Sequence, residues 1–266
     1  MPDIYASILE APAESLSNIA RVLEIRAADP QQAAMRADYL STLDVSTGNL
    51  VVEVGCGTGA VARTLAETFP TCRVLGIDPS PFFIGRAAQL GQELPNLSFA
   101  EGDARELPLA EESVDALVFH TTLCHVPELE AALAEARRVL RPRGTLAIFD
   151  ADYASTSVAS QPNDPLQSCI AACVEAIVHD PFLARKLAPS VNRAGFKVRS
   201  FRTHSYHGVS DAAYLLTVVD RGADALALTG IIGRELADAL KTEARRRVDQ
   251  GTFYGQLTYA SLIAIR

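Results

Sequence analysis

The chain has 266 residues, 48% hydrophobic and 21% charged, with a net charge of −8. That is enough for one large α/β domain of ordinary enzyme composition, and the negative balance argues against a phosphate backbone as partner. No apolar stretch is long enough to span a membrane and no signal pattern is visible, so the expectation is a cytoplasmic protein without membrane insertion. The cysteines at 56, 72, 124, 169 and 173 are odd in number, and the first three fall in apolar segments, which predicts reduced, buried thiols. Cys169 and Cys173 are one helical turn apart without nearby His or Cys partners, so no metal site is expected.

In chain order, Ser15 to Ala28 shows a helical stripe of Leu16, Ile19, Ala20, Leu23 and Ala27. A second helix is predicted over Gln31 to Leu43. A strand over Leu50–Val54 then runs through Glu53 into glycines at 55, 57 and 59, and a helix follows over Val61–Phe69. Glycines permit a sharp turn and close approach of a ligand to backbone, and the helix start directs N–H groups at it.

Strands are further predicted at Arg73–Ile77, Leu97–Ala100, Val114–Phe119 and Thr145–Phe149. They alternate with helices at Pro81–Glu93 and Glu128–Leu140. This alternation predicts a parallel sheet with helices on both faces and ligands at the carboxyl ends of the strands. Ala154 to Leu166 reads as a loop, followed by helices at Leu166–Val178 and Pro181–Arg193 and a strand at Phe196–His207. Ser210 to Arg247 reads as helical with breaks near Gly222 and Gly230, and Phe253–Ile265 as a last strand. The basic run Arg245-Arg246-Arg247 lies among Glu235, Asp238, Glu243 and Asp249, as on a solvated helix face.

Gly55, Gly57 and Ala60 satisfy G-x-G-x-x-A, which alone allows a dinucleotide. Three acids weigh against it. Glu53 places a carboxylate where a pyrophosphate would need positive potential, whereas a cationic ligand would welcome it. Asp78, in GIDPS, closes the second strand, where it could accept from both hydroxyls of a ribose. Asp103, in EGDARELP, follows the third strand and could accept from an adenine amine.

With these motifs in register from Leu50 to Asp150, the chain resembles the class I S-adenosylmethionine-dependent methyltransferases. VVEVGCGTG resembles their first motif, GIDPS the second, and GDARELPLAEESVDALVF the third and fourth. EARRVLRPRGTLAIFD resembles the helix and fifth strand of the ubiquinone/menaquinone-type, small-molecule branch, with Pro142-Arg143-Gly144 where Pro-Gly-Gly is usual. The resemblance implies a Rossmann-like, seven-stranded, mostly parallel sheet with an antiparallel last strand, a helical lid and an insertion. It implies one domain over 1–266, comprising a lid (1–45), a cofactor core (46–150) and a substrate side (151–266, insertion about 208–250). It also implies S-adenosyl-L-methionine as cofactor, held by Glu53, Gly55, Cys56, Gly57, Asp78, Pro79, Asp103, Ala104 and His120. Arg36 of the second helix is the choice for its carboxylate, since a guanidinium can grip it bidentately.

A sulfonium methyl is already electrophilic, so such an enzyme needs alignment and exclusion of water more than a visible catalytic constellation. The candidates for chemistry are His125, Asp152 and Tyr153. His125 has the pKa range of a base, yet a histidine hydrogen-bonded near the start of the Glu128 helix is the favoured reading. Asp152 either contacts substrate or caps the loop. The expected reaction is methyl transfer to a small, hydrophobic or aromatic molecule. The alternative is a cyclisation, rearrangement or aminopropyl transfer on the same fold. The expected partner is a small-molecule substrate, with no nucleic acid; a homodimer is compatible with the sequence, which shows none.

Overall fold

The computed structural model describes residues 8–266, so residues 1–7 of the expected lid lie outside the described residues. Seven strands form one sheet: β1 (Leu50–Val54), β2 (Arg73–Asp78), β3 (Leu97–Glu101), β4 (Val114–His120), β5 (Leu140–Ser157), β6 (Lys197–Gly208) and β7 (Gly255–Ile265). Their order is β3-β2-β1-β4-β5-β7-β6. β1 to β5 pair in parallel, and β7 runs antiparallel to both β5 and β6. β6 therefore runs with the parallel set, and the reversed strand is β7, slotted between β5 and β6.

Alternate residues of the central strands serve two cores, as the two-residue repeat of a strand requires. Val51, Ala116, Ala147 and Phe149 belong to one, Val52, Leu117, Leu146 and Ile148 to the other. The helices are α1 (Ala13–Ala28), α2 (Pro30–Leu40), α3 (Ala60–Thr68), α4 (Pro81–Leu90), α5 (Leu129–Val139), α6 (Pro165–Ile177), α7 (Leu183–Arg193), α8 (Ala213–Leu228) and α9 (Arg234–Asp249). All five cysteines are buried thiols. No helix among the described residues is long and apolar enough to cross a membrane.

The first helices meet the sheet differently. Asp29 caps α2 by accepting from the amides of Gln31 and Gln32 at 2.9 and 3.0 Å, and it also accepts from Tyr206 Oη of β6 at 2.7 Å. Gln32 donates to Tyr259 Oη at 2.8 Å, and Tyr39 Oη shares a 2.7 Å hydrogen bond with His120 Nδ1. α2 is thus fixed to β4, β6 and β7. Nearer the N-terminus, Ile8, Leu16, Ile19 and Ala20 make a separate small cluster with Phe83 of α4.

Two details depart from expectation, and one turn takes its positive φ on a non-glycine residue. β5 does not stop at Phe149 but continues to Ser157 through part of the predicted loop, because β7 pairs with it as far as Gln256. At its start, the positive φ falls on Arg143 (71°) and not on Gly144. Gly144 is needed for space: a Cβ there would lie 2.9 Å from the Arg141 carbonyl oxygen. Gly222 does not break the helix but sits inside α8, where a Cβ would collide with the backbone carbonyl of Cys169 on α6.

That last contact lets α6 and α8 approach to backbone distance. Gly222→Ala forces the helices apart and is expected to destabilise the fold by about 1–3 kcal/mol, the range for overpacking, measured by urea denaturation. An unchanged denaturation midpoint would show that the pair tolerates separation.

Candidate functional site

A cavity of about 260 Å³ opens at the carboxyl ends of the parallel strands. β1 delivers Glu53, and its exit turn is built from glycines with φ of 73° at Gly55 and 51° at Gly57, a region that side chains disfavour. A Cβ on Gly55 would collide with Thr122, and one on Gly57 would lie 2.9 Å from Leu23 Cδ1. The turn is held from below by Asp78. Its Oδ2 accepts from the Gly57 amide and its Oδ1 from the Ser80 amide, both at 2.9 Å.

Glu53 is 2% exposed and lies beside the first turn of α3, where the Ala62 amide favours its ionised form, while its Oε2 is buried without a hydrogen-bond partner. Burial pushes its carboxyl up to about 8 and that of Asp78 up to about 6. A fixed carboxyl group therefore stands at the first turn of α3, where a pyrophosphate would need positive potential. An orphaned, buried acceptor oxygen in a cavity wall calls for a donor, best a cationic one.

The cavity lining brings together every residue that sequence reasoning placed at the cofactor: Glu53, Gly55, Cys56, Gly57, Asp78, Pro79, Asp103, Ala104, His120 and Arg36. Asp103 is gripped by Arg105, which donates to it from Nε at 2.9 Å and Nη2 at 2.7 Å, so its carboxyl is held below the usual range. Arg36 has a buried Nε without a hydrogen-bond partner and feels the field of Glu53. His120 stacks on Phe149 at 4.7 Å between centroids, and burial pushes its pKa well below the ordinary value, leaving it neutral. Cys56 lines the cavity as an inert thiol, its pKa raised well above normal by burial.

Residues 52–148 match the family profile described as a methyltransferase domain. Over this segment the chain carries a methyltransferase domain. A trans-aconitate 2-methyltransferase of Deinococcus radiodurans is 41% identical over 98 residues, 37% of this chain and 36% of that protein. A sterol 24-C-methyltransferase of Saccharomyces cerevisiae is 34% identical over 110 residues, 40% of this chain and 28% of that one. The chain thus spans less than half the length of these curated relatives. Among solved structures, the YcgJ protein of Bacillus subtilis superposes with a TM-score of 0.61 at 16% identity, covering 88% of this chain and 98% of that one, a likeness of fold.

The cofactor of the methyltransferase domain is S-adenosylmethionine, and the residues present fit it. The glycine turn leaves room against bare backbone, the orphaned Glu53 Oε2 and Arg36 Nε are of opposite character, as an amino-acid end requires, and Asp78 keeps lone pairs for ribose hydroxyls.

The acceptor side departs further from the sequence reading. Tyr153 and His125 both line the cavity, their ring centroids 6.5 Å apart. Asp152 does not reach it: the side chain turns away from Tyr153 and accepts from Arg185 Nε of α7 at 2.9 Å, so the structure corrects its place among the catalytic candidates. On the insertion, Tyr214 and Val218 face the cavity, whereas Leu215 is buried beneath Gly208 and Gly255 and Leu216 packs on the core. Tyr259 is buried and Tyr254 is exposed. Sequence reasoning missed Arg26, Gln32, Thr122, the α6 face with Cys173, Val174 and Ile177, and Arg221. The available signal was helical spacing: Tyr214, Val218 and Arg221 stand at i, i+4 and i+7, a polar residue in an apolar stripe.

Asp78→Ala is expected to lower affinity for S-adenosylhomocysteine by about 1.5–3 kcal/mol, since it removes a charged acceptor and the latch on Gly57. Calorimetry checks this, and unchanged affinity would leave Asp78 a turn residue only. A second expectation concerns pH. Below about 8 the ligand-free Glu53 is a neutral acid, so a cationic group pairing with it must displace the proton. Ligand affinity should rise with pH between about 6 and 8, with protons released to buffer, and Glu53→Gln should flatten that rise. The ligand-free fold has the opposite dependence. Its Glu53 is protonated where the unfolded carboxyl, near 4.5, is ionised, so this group costs stability progressively as pH climbs toward 8.

Proposed function

We propose that the chain is an S-adenosylmethionine-dependent methyltransferase acting on a small molecule with a hydrophobic or aromatic body. The observation that carries this reading is the continuity of one cavity. Its strand-end half holds the cofactor residues, and its other half is walled by apolar side chains of α6 and α8, with Tyr153 and His125 also on its wall. When bound, the cofactor supplies an electrophilic methyl group.

The chain's own residues align and desolvate. Glu53, Asp78, Asp103 and Arg36 fix one partner from the strand ends and α2. Val174, Ile177 and Val218 exclude water around the other. Burial holds the Tyr153 hydroxyl well above its ordinary pKa, so it is a neutral hydrogen-bond donor that orients an acceptor oxygen or nitrogen. Asp150, fully buried, accepts from the amides of Cys124 and Ala151 and feels the charge of His125, which places an acid behind that imidazole. His125 is the base of this proposal wherever the acceptor must lose a proton. The lid is assigned to α1, because α2 is fastened to the sheet by the Asp29, Gln32 and Tyr39 hydrogen bonds. The protein works in the cytoplasm in this reading.

Two measurements test the proposal. Calorimetry should detect S-adenosylhomocysteine and not NAD. With methyl-labelled S-adenosylmethionine, label should pass into an organic-soluble product. A transformed small molecule without label would instead point to cyclisation or rearrangement. Tyr153→Phe should lower turnover by about tenfold or more while S-adenosylhomocysteine affinity stays within about twofold, since a lost orienting hydrogen bond in a dry site costs transition-state alignment. Joint loss of cofactor binding and turnover would put Tyr153 on the cofactor's side.

A further inference from the structure

His120 closes β4 and lines the cavity, 7% exposed. Its ring is held among near-parallel aromatic rings. Phe149 lies 4.7 Å away at 8°, and Tyr39 of α2 lies 5.7 Å away at 24°, itself stacked on Phe149 at 5.2 Å. The plane of the imidazole is thereby fixed, and its chemistry depends on which ring nitrogen carries the proton.

The Tyr39 hydroxyl decides that. Tyr39 is buried, and among the described residues its hydroxyl bonds to His120 Nδ1, at 2.7 Å. A hydroxyl proton without an acceptor is costly in a dry core. Were Nδ1 to carry a proton and donate, the hydroxyl proton would be left in that position. Tyr39 therefore donates and Nδ1 accepts. Burial keeps the phenol protonated and the imidazole neutral, so the one imidazole proton sits on Nε2. With Nδ1 taken by Tyr39, Nε2–H is the donor left for a ligand in the cavity.

The surroundings say which ligand group it suits. Arg36 stands one turn before Tyr39 on α2, with a buried Nε lacking a hydrogen-bond partner, and its charge acts on both Tyr39 and His120. Glu53, in the field of the same arginine, offers an unpaired oxygen to a cation. An Nε2–H cannot accept from an ammonium group, but it can donate to a carboxylate. The opposite tautomer would present a lone pair there and reverse that preference.

We infer that Tyr39 is a positioning residue that fixes His120 as its Nε2–H tautomer, and that His120 joins Arg36 in receiving the carboxylate of the cofactor's amino-acid end. This rests on the S-adenosylmethionine reading of the site. The helix fastened to the sheet thus sorts the two charges of that end, the ammonium to Glu53 and the carboxylate to the donors supplied or set by α2.

Nitrogen-15 NMR of the imidazoles reads the tautomer, with His120 assigned by the resonances lost on its substitution. An unprotonated Nδ1 and a protonated Nε2 are expected in the unaltered protein, with and without S-adenosylhomocysteine. Calorimetry then compares S-adenosylhomocysteine with its decarboxylated form, which keeps the amine. His120→Phe should cut the preference for the carboxylate-bearing ligand by about tenfold or more, while affinity for the decarboxylated ligand changes by less than about twofold. Tyr39→Phe should cut it by about threefold, because an imidazole without its hydrogen bond at Nδ1 is a weaker and less fixed donor. His120→Gln, whose amide restores a donor, should recover part of the preference. Thermal melts separate lost binding from lost fold, and the glutamine variant carries the assignment where phenylalanine does not fold. A proton on Nδ1, an unchanged preference in His120→Phe, or equal loss of both ligands in folded variants would overturn the inference. Failure of the unaltered protein to bind S-adenosylhomocysteine would overturn the cofactor reading and this inference with it, whereas tight binding with a protonated Nδ1 would overturn this inference alone.

Discussion

The carboxyl group of Glu53 at the start of α3 is the constraint around which the site is arranged. It stands beside the Ala62 amide and leaves Oε2 buried in the cavity wall. A helix N-terminus is by default an anion site. Filling it with a side-chain acid reverses that preference and makes the same strand–turn–helix geometry receptive to a cation. Asp78 completes the arrangement by tying the glycine turn to the end of β2 through the Gly57 amide. Two buried acids so close are tolerated because burial raises Glu53 to about 8, so it stays neutral until a ligand draws it into ionisation, while Asp78 is held by the Gly57 and Ser80 amides.

The opposite half of the cavity depends on the direction of one strand. β6 ends at Gly208 at the carboxyl side of the sheet, and β7 starts again from that side at Gly255 before running back between β5 and β6. The reversal obliges residues 209–254 to lie over the ligand end, and α8 and α9 fill that span. α8 then packs on α6 through Gly222, close enough for both helices to present side chains to one space. β5, extended to Ser157, carries Tyr153 into the same wall. An apolar chamber containing Arg26 and Arg221 is thereby assembled from α1, α6 and α8, none of which belongs to the strand-end motifs.

The cofactor half was legible in the sequence because its information is local. Glu53, the glycines, Asp78 and Asp103 each sit at the end of a strand recognisable from its own apolar run, and parallel strands bring their carboxyl ends to one edge. The acceptor half was partly illegible for the converse reason. Asp152 and Tyr153 are neighbours in sequence, yet the pleat sends one toward Arg185 and the other into the cavity. Gly222 reads as a helix breaker, yet it is a packing contact whose cause, the Cys169 carbonyl, lies more than fifty residues away.

The sequence by itself determined the strand–turn–helix, the acids at the strand ends and the alternation that makes a parallel sheet, since apolar periodicity and turn chemistry act over a few residues. Only the tertiary structure decided which helix faces close the cavity, that α2 belongs to the body of the sheet, and that two arginines 195 positions apart line the same chamber. Those outcomes depend on strand order and on helices meeting across the sheet's edge, where packing between distant segments, and not local preference, sets which side chains meet.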